Sequence, residues 1–289
     1  MPVAAVLGWP LAHTLSPDLH RAAYRAAGLD GWSYEARPTR PEELAAALDE
    51  VRAGALAGVN LTTPHKQPAA VLVDVLERPA DRLEAVNTVF VRDGRLVGAN
   101  TDVAGAVWAL GSQLGLRDGR WPGGGPAVLL GTGGVALAVA FAWSRLATAR
   151  RSQGLPVGPL RVAGRDPARA AAVAGLAGPG AEARDWAGAA GLVAAADVVL
   201  QATTLTARGE PVPGQDRLRP GVRLLDLNYG PGAQGLVAAA RAAGAAVAVD
   251  GLGMLCAQAA EAVTRHTGAR ADLAAMALAV GLALPPAGG

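Results

Sequence analysis

Val128-Leu129-Leu130-Gly131-Thr132-Gly133-Gly134-Val135-Ala136 joins an apolar run to a second apolar run through a glycine turn. The pattern predicts a buried strand, a tight turn and a helix. Gly131 permits the turn, Gly133 lets the backbone approach an anion, and Ala136 is small enough for the helix to pack on the strand. The positive end of that helix is a seat for a pyrophosphate. A bare glycine motif is weak in a chain with 38 glycines, and a turn without a ligand is the competing reading. The flanking strand and helix favour a dinucleotide site. No charge occurs between Arg120 and Arg145, which raises the question of a membrane span. Pro122-Gly123-Gly124-Gly125-Pro126 and the glycine turn interrupt that stretch, so a buried strand, turn and helix explain it better.

Downstream, Leu160 to Ala163, Val198 to Gln201, Arg223 to Leu227 and Ala245 to Val249 read as further short strands separated by alanine-rich helices. The second strand of such a unit ends near the adenosine ribose. Here it ends Val162-Ala163-Gly164-Arg165-Asp166, with no acid at the tip itself. Arg165 suits a ribose 2′-phosphate and so NADP over NAD. Asp166 has two readings: it repels that phosphate, or it caps the helix begun by Pro167.

Upstream, strand and helix patterns also alternate. Val3 to Leu7, Trp32 to Ala36 and Leu56 to Leu61 read as strands. Pro17 to Ala27 reads as a helix with Ser16 as its cap, Pro41 to Ala53 as a second, and Pro64 opens a third. Asp93-Gly94, between Val86 to Arg92 and Arg95 to Ala99, is a hairpin turn signal. Residues 103–117 read as a connecting helix. Met254 to Thr267 and Ala271 to Ala283 read as two terminal helices. This alternation predicts an α/β architecture with mostly parallel sheets.

The chain of 289 residues is 51% hydrophobic and 17% charged, enough to bury a sizeable core in one large or two medium domains. Its net charge of +2 comes without a basic cluster, so neither a nucleic acid nor a membrane surface is an expected partner. The N-terminus lacks a basic leader region and reads as a strand. The single cysteine, Cys256, fits a reducing, cytoplasmic setting. Four histidines (His13, His20, His65 and His266) have no metal-ligand spacing, so no metal is expected.

Residues of scarce type are more informative. Lys66 is the one lysine beside 25 arginines, and there are four asparagines: Asn60, Asn87, Asn100 and Asn228. Arginine supplies a fixed charge; a lysine supplies a compact amine that can exchange a proton. A lone lysine is a chance survivor or a site that needs such an amine. Its position in Asn60-Leu61-Thr62-Thr63-Pro64-His65-Lys66, near other scarce polar residues, favours the site.

Taken in order, these segments resemble the shikimate dehydrogenase family over nearly the whole chain. Gly8-Trp9-Pro10-Leu11-Ala12-His13-Thr14-Leu15-Ser16-Pro17 looks like its N-terminal substrate motif, and Gly58 to Lys66 like the segment with the catalytic lysine. Ala85-Val86-Asn87-Thr88, Gly98-Ala99-Asn100-Thr101-Asp102, the glycine turn, Tyr229 and Gly253-Met254-Leu255 through Gln258 match further motifs. The resemblance implies a substrate-binding catalytic domain (1–103), a Rossmann-like NADP-binding domain (104–249) and C-terminal helices (250–289) that return to the first domain, with a cleft between the two domains. It implies reversible reduction of 3-dehydroshikimate to shikimate with NADPH, a step of aromatic amino acid biosynthesis. Lys66 and Asp102 are the implied catalytic pair. Thr14 and Ser16 are implied to bind the substrate carboxylate near Tyr229, and Thr62, Asn87 and Gln258 to hold ring hydroxyls. The implied cofactor residues are Gly131, Thr132, Gly133, Gly134, Val135, Arg165, Asp166, Thr203 and Gly251.

The chain departs from the family pattern at four places. Thr14 stands where serine is common, Gln201 in place of asparagine in Gln201-Ala202-Thr203, Gln234 where threonine is usual, and Gly164 and Asp166 flank Arg165 in place of asparagine and threonine. These leave a quinate or aminoshikimate dehydrogenase as the nearest alternative. A non-catalytic metabolite sensor is the alternative of another class, and an intact Lys66 and Asp102 argue against it. Both a monomer and a homodimer are compatible with the sequence.

Overall fold

The computed structural model describes residues 1–11, 14–117 and 123–285. Ala12 and His13 of the N-terminal motif, and Pro122 of the proline-glycine stretch, lie outside the described residues. The chain forms two compact units, Met1–Gly105 with Leu255–Leu284, and Ala106–Met254 with the segment from Pro285.

The first unit runs β1 (Val3–Gly8), α1 (Ser16–Ala26), β2 (Ser33–Pro38), α2 (Leu44–Arg52), β3 (Gly58–Leu61), α3 (Lys66–Ala70), β4 (Val75–Leu76), α4 (Ala80–Leu83), β5 (Thr88–Arg92) and β6 (Arg95–Ala99). Its six-stranded sheet has the order β2-β1-β3-β5-β6-β4. β1 pairs parallel with β2 and β3, whereas β5 runs antiparallel to both β3 and β6. The antiparallel part follows from the hairpin at Asp93 and Gly94, whose φ angles are 52° and 70°, the left-handed pair that a two-residue turn requires. Alternation along β1 sends Ala5 and Leu7 to one core and Ala4 and Val6 to another. The first core is closed by α2 through Leu44, Leu48 and Val51. The second contains Cys256, Ala259 and Val263 of the later helix α10 and Met276 of α11.

Local expectations shift in the first unit, and the last helix, expected over 271–283, spans Leu273–Ala279. Ser16 is the first residue of α1, not its cap; the cap position is Leu15, with no side-chain bond, because the Ser16 hydroxyl accepts from Thr14 Oγ1 at 3.1 Å. The helix expected from Pro64 begins at Lys66, since a turn closed by His65 N–H on Thr62 O, 2.8 Å, intervenes. The helix expected over 41–53 opens with a tighter 3-10 turn, Pro41–Glu43, before α2.

α5 (Asp102–Trp108) continues into a wider π-type turn, Ala109–Gln113. The second unit then runs β7 (Ala127–Leu130), α6 (Gly134–Ser152), β8 (Leu160–Gly164), α7 (Pro167–Ala177), β9 (Ala181–Asp185), α8 (Ala189–Ala195), β10 (Val198–Gln201), β11 (Arg223–Asp226), α9 (Pro231–Ala242) and β12 (Val247–Val249). The chain ends with α10 (Leu252–Thr267) and α11 (Leu273–Ala279). The second sheet is parallel throughout, in the order β12-β11-β10-β7-β8-β9. This is the doubly wound arrangement, with its reversal of strand order at β7, where open α/β sheets place a ligand. Its strands are apolar on both faces. Leu129, Val162 and Leu200 enter one core and Val128, Ala163 and Val199 the other. Both faces are covered by helices, as a parallel sheet requires.

Candidate active site

In the first unit the turn at residues 62–65 delivers Lys66 at the start of α3, and Val86 N–H on Lys66 O, 2.7 Å, pins its backbone. Asp102 opens α5. Lys66 Nζ donates to Asp102 Oδ2 at 2.6 Å, with side chains 17% and 8% exposed. So short a pair in a mostly dehydrated place is stronger than a surface ion pair. The amine keeps enough exposure to meet a ligand.

Asn87, 2% exposed, holds the other oxygen. Its Nδ2 donates to Asp102 Oδ1 at 2.9 Å, with further contacts to Thr101 Oγ1 at 3.0 Å and Gln258 Oε1 at 3.3 Å. Its Oδ1 accepts from Thr101 N–H at 2.7 Å and from the Thr88 hydroxyl at 3.0 Å. Thr101 N–H can only donate, so it sets which end of the Asn87 amide faces Asp102. Gln258, on α10, also accepts from Thr101 Oγ1 at 3.2 Å and donates to Leu255 O at 3.0 Å. Lys66, Asp102, Asn87 and Gln258 therefore share one polar cluster.

Behind them lie residues to which the sequence assigned no role. Asn60 Nδ2 donates to Thr88 Oγ1 at 3.0 Å and Asn87 O at 3.2 Å, and Asn60 Oδ1 accepts from Tyr34 Oη at 2.8 Å. Burial holds the Tyr34 phenol well above its ordinary value, so it stays a donor. The scarcity of asparagine pointed to Asn60. Tyr34 is one of three tyrosines, a signal of the same kind. Thr14 Oγ1 and Ser16 Oγ form a separate hydroxyl pair at the start of α1. Thr62 is tied to β1 through its N–H on Leu7 O, 2.9 Å, and its methyl occupies the space a side chain at Gly8 would fill.

The second unit carries the glycine turn. Gly131 has φ 108°, and a Cβ there would lie 2.9 Å from the backbone of Ala202, so both conformation and space demand glycine. A Cβ at Gly133 would meet nothing within 4 Å, and Gly133 caps the 19-residue α6 without a side-chain bond. The start of α6 is thus uncapped and open at Gly133, which fits an anionic dinucleotide. At the tip of β8, a Cβ on Gly164 would fall 2.5 Å from Thr132 Cγ2, so the glycine makes room for Thr132. Arg165 is exposed. Asp166 caps α7, accepting from Ala168 N–H at 2.9 Å and Arg169 N–H at 3.1 Å.

Gln201 is fully buried, and its Oε1 accepts from Thr203 N–H and Oγ1, both at 2.9 Å. Asn228 Nδ2 donates to Thr203 O at 2.7 Å and Thr206 Oγ1 at 2.8 Å. The longer glutamine therefore folds back to hold the Thr203 turn. Burial raises the Asp226 carboxyl beside them. Tyr229 follows β11 and Gly251 precedes α10, both in the second unit; Gln234 donates to Asp250 at 3.1 Å. No helix among the described residues is long and apolar enough to cross a membrane.

Comparison with known proteins bears on this arrangement. A family profile described as the shikimate dehydrogenase substrate binding domain matches residues 6–89, and one described as the shikimate 5′-dehydrogenase C-terminal domain matches residues 251–280. The shikimate dehydrogenase (NADP(+)) of Moorella thermoacetica is 40% identical over 284 residues, covering 95% of this chain and 90% of that one. A shikimate 5-dehydrogenase from Thermus thermophilus, solved in complex with NADP(H) and shikimate, is 36% identical with a TM-score of 0.77, covering 97% of this chain and 99% of that one. Quinate dehydrogenase from Corynebacterium glutamicum, solved in complex with NAD, is 29% identical with a TM-score of 0.82, covering 96% of this chain and 98% of that one.

Proposed function

Because the chain belongs to the shikimate dehydrogenase family, we propose that it catalyses the reversible, NADP-dependent interconversion of 3-dehydroshikimate and shikimate. The observation that carries this reading is the 2.6 Å Lys66–Asp102 pair with its carboxylate held from behind by Asn87. Thr14 and Ser16 donate their hydroxyls to the substrate carboxylate, with Tyr229 assisting. Thr62, Asn87 and Gln258 fix the ring hydroxyls. Gly131, Thr132, Gly133, Gly134, Val135, Arg165, Thr203 and Gly251 hold NADP, and Asp166 acts there by shaping the start of α7. NADPH, when bound, supplies the hydride.

Negative charge then grows on the carbonyl oxygen. The Lys66 ammonium stabilises that charge and gives up its proton to the oxygen, forming the hydroxyl. Asp102 keeps the ammonium aimed, and exposure of the amine lets solvent restore its proton. In the reverse direction the neutral amine accepts the hydroxyl proton as hydride leaves. Arg165 favours NADP because its guanidinium can pair with a 2′-phosphate, while the Asp166 carboxylate serves as the cap of α7. A cytoplasmic setting accords with a chain whose single cysteine, Cys256, is buried.

Initial rates with shikimate and with quinate, each against NADP+ and NAD+, test the reading. Fastest turnover for shikimate with NADP+ is expected. Preference for quinate keeps the proton chemistry and moves the substrate; no turnover with any pair removes the proposed reaction.

A further inference from the structure

One run of buried hydrogen bonds leads from Tyr34 to Asp102. The Tyr34 hydroxyl donates to Asn60 Oδ1 at 2.8 Å, which turns the Asn60 amide so that Nδ2 donates to Thr88 Oγ1 at 3.0 Å. Thr88 Oγ1 donates to Asn87 Oδ1 at 3.0 Å, with Thr101 Oγ1 a longer contact at 3.3 Å. Asn87 Nδ2 in turn donates to Asp102 Oδ1 at 2.9 Å, and Lys66 reaches Asp102 Oδ2 at 2.6 Å. Thr101 N–H assigns the Asn87 amide and the Thr88 hydroxyl supports the same orientation, so the carboxylate is held between an amide hydrogen and the ammonium. Aligned hydrogen bonds away from water polarise one another, and each member limits the tilt of the next. Thr88 is fully buried and Tyr34 nearly so, so neither can touch a substrate directly.

We infer that Tyr34, Asn60 and Thr88 are positioning residues for the catalytic pair: their chain of donated hydrogen bonds fixes the Asn87 amide and, through it, the orientation of Asp102 and the amine of Lys66. Two facts separate this from mere core filling. The chain terminates on the two groups that exchange and steer the proton, not on backbone. Its middle link is also partly redundant for stability. Without the Thr88 hydroxyl, Asn60 Nδ2 keeps Asn87 O at 3.2 Å and Asn87 Oδ1 keeps Thr101 N–H at 2.7 Å. Loss of that hydroxyl therefore leaves each neighbour with a partner, while the aim of the amide loosens.

The inference rests on the proposed dehydrogenase reaction, and the single lysine supplies a readout that does not. Protein grown on lysine labelled with carbon-13 at Cε gives one lysine resonance, that of Lys66, whether or not any substrate is turned over. In Thr88→Val this resonance is expected to shift and broaden. With shikimate and NADP+, kcat is expected to fall about tenfold, equivalent to about 1.4 kcal/mol of barrier, with KM for NADP+ unchanged. Thr88→Ser, which restores the hydroxyl, is expected to recover the sharp resonance and most of kcat. Tyr34→Phe, at the far end of the chain, is expected to change both in the same sense by less, and it tests the chain if Thr88→Val does not fold. A Lys66 resonance that is unmoved in both Thr88→Val and Tyr34→Phe overturns the inference, as does a kcat loss that Thr88→Ser does not recover. An inactive wild type overturns the dehydrogenase reading instead, and the resonance still decides the positioning role.

Discussion

Arginine at position 66 would keep the positive charge beside Asp102 and change nearly everything else about it. The guanidinium does not lose its proton at working pH, and its planar fork cannot take the compact place of an ammonium. If charge alone mattered, Lys66→Arg would keep most of the rate. If a proton is passed, it fails almost as badly as Lys66→Met. The expected outcome is a kcat loss on the order of a hundredfold or more for both variants, the usual weight of a positioned acid or base, measured as initial rates with shikimate and NADP+. Lys66→Arg within tenfold of wild type would remove the proton-transfer role. The site was legible at this scale because composition isolates it: one lysine and four asparagines stand out from arginine and alanine. Thr88 escaped notice because threonine is common here and its role exists only through the Asn60 and Asn87 amides on either side. Asp166 left two readings in the sequence. The two helix amides that it accepts from show the cap of α7, and its effect on a phosphate is a matter for measurement.

A helix seated on a sheet accounts for a second expected property. His266, near the end of α10, lies against β3 so closely that a Cβ on Gly58 would fall 2.5 Å from its ring. Burial pushes His266 down to about 4, aided by the nearby Arg265 guanidinium. His20 on α1, its ring stacked 3.8 Å from that of Tyr34, is also lowered, first by burial and then by His266. Between pH 6.5 and 4 the unfolded chain protonates His266 and the native chain does not. The unfolded state then binds more protons, so stability rises with pH and is lost on acidification through this window. The loss for His266 alone is about 1.4 kcal/mol per pH unit. Urea midpoints are expected to fall steeply as pH drops from 6.5 towards 4 in the wild type and less steeply in His266→Phe. An unchanged slope in the variant would assign the acid sensitivity to other groups. Element boundaries were readable where apolar runs met turn residues, as at Asp93-Gly94. They were not readable at β9, whose sequence Ala-Glu-Ala-Arg-Asp reads as polar because it is the last strand of its sheet. The two-residue β4 is too short to carry any period.

At the scale of the whole chain, the alternation of strands and helices predicted two α/β sheets, and the doubly wound order of the second follows from right-handed crossovers between parallel strands. The antiparallel β5 makes the first sheet mixed, a consequence of one hairpin that alternation alone does not weigh. Each unit has its own sheet and its own cores, so a ligand held by one of them adds its binding energy to the folding of that unit. For a ligand at about a hundred times its dissociation constant the gain is about 2.7 kcal/mol. If Arg165 reads a 2′-phosphate, NADP+ must stabilise the chain more than NAD+ at equal concentration, because the two differ only in that group. Calorimetry is the suitable measurement, since a chain of two units need not unfold in one step. The expected result is a clear upward shift of a melting transition with NADP+, a smaller one with NAD+, and convergence of the two in Arg165→Gln. The Asp166 cap predicts a further distinction. Asp166→Ala is expected to lower the melting temperature without ligand, at a cost of about 1 kcal/mol, while leaving NADP+ ahead of NAD+. Were its carboxylate instead opposing the phosphate, the same substitution would widen the gap between the two dinucleotides.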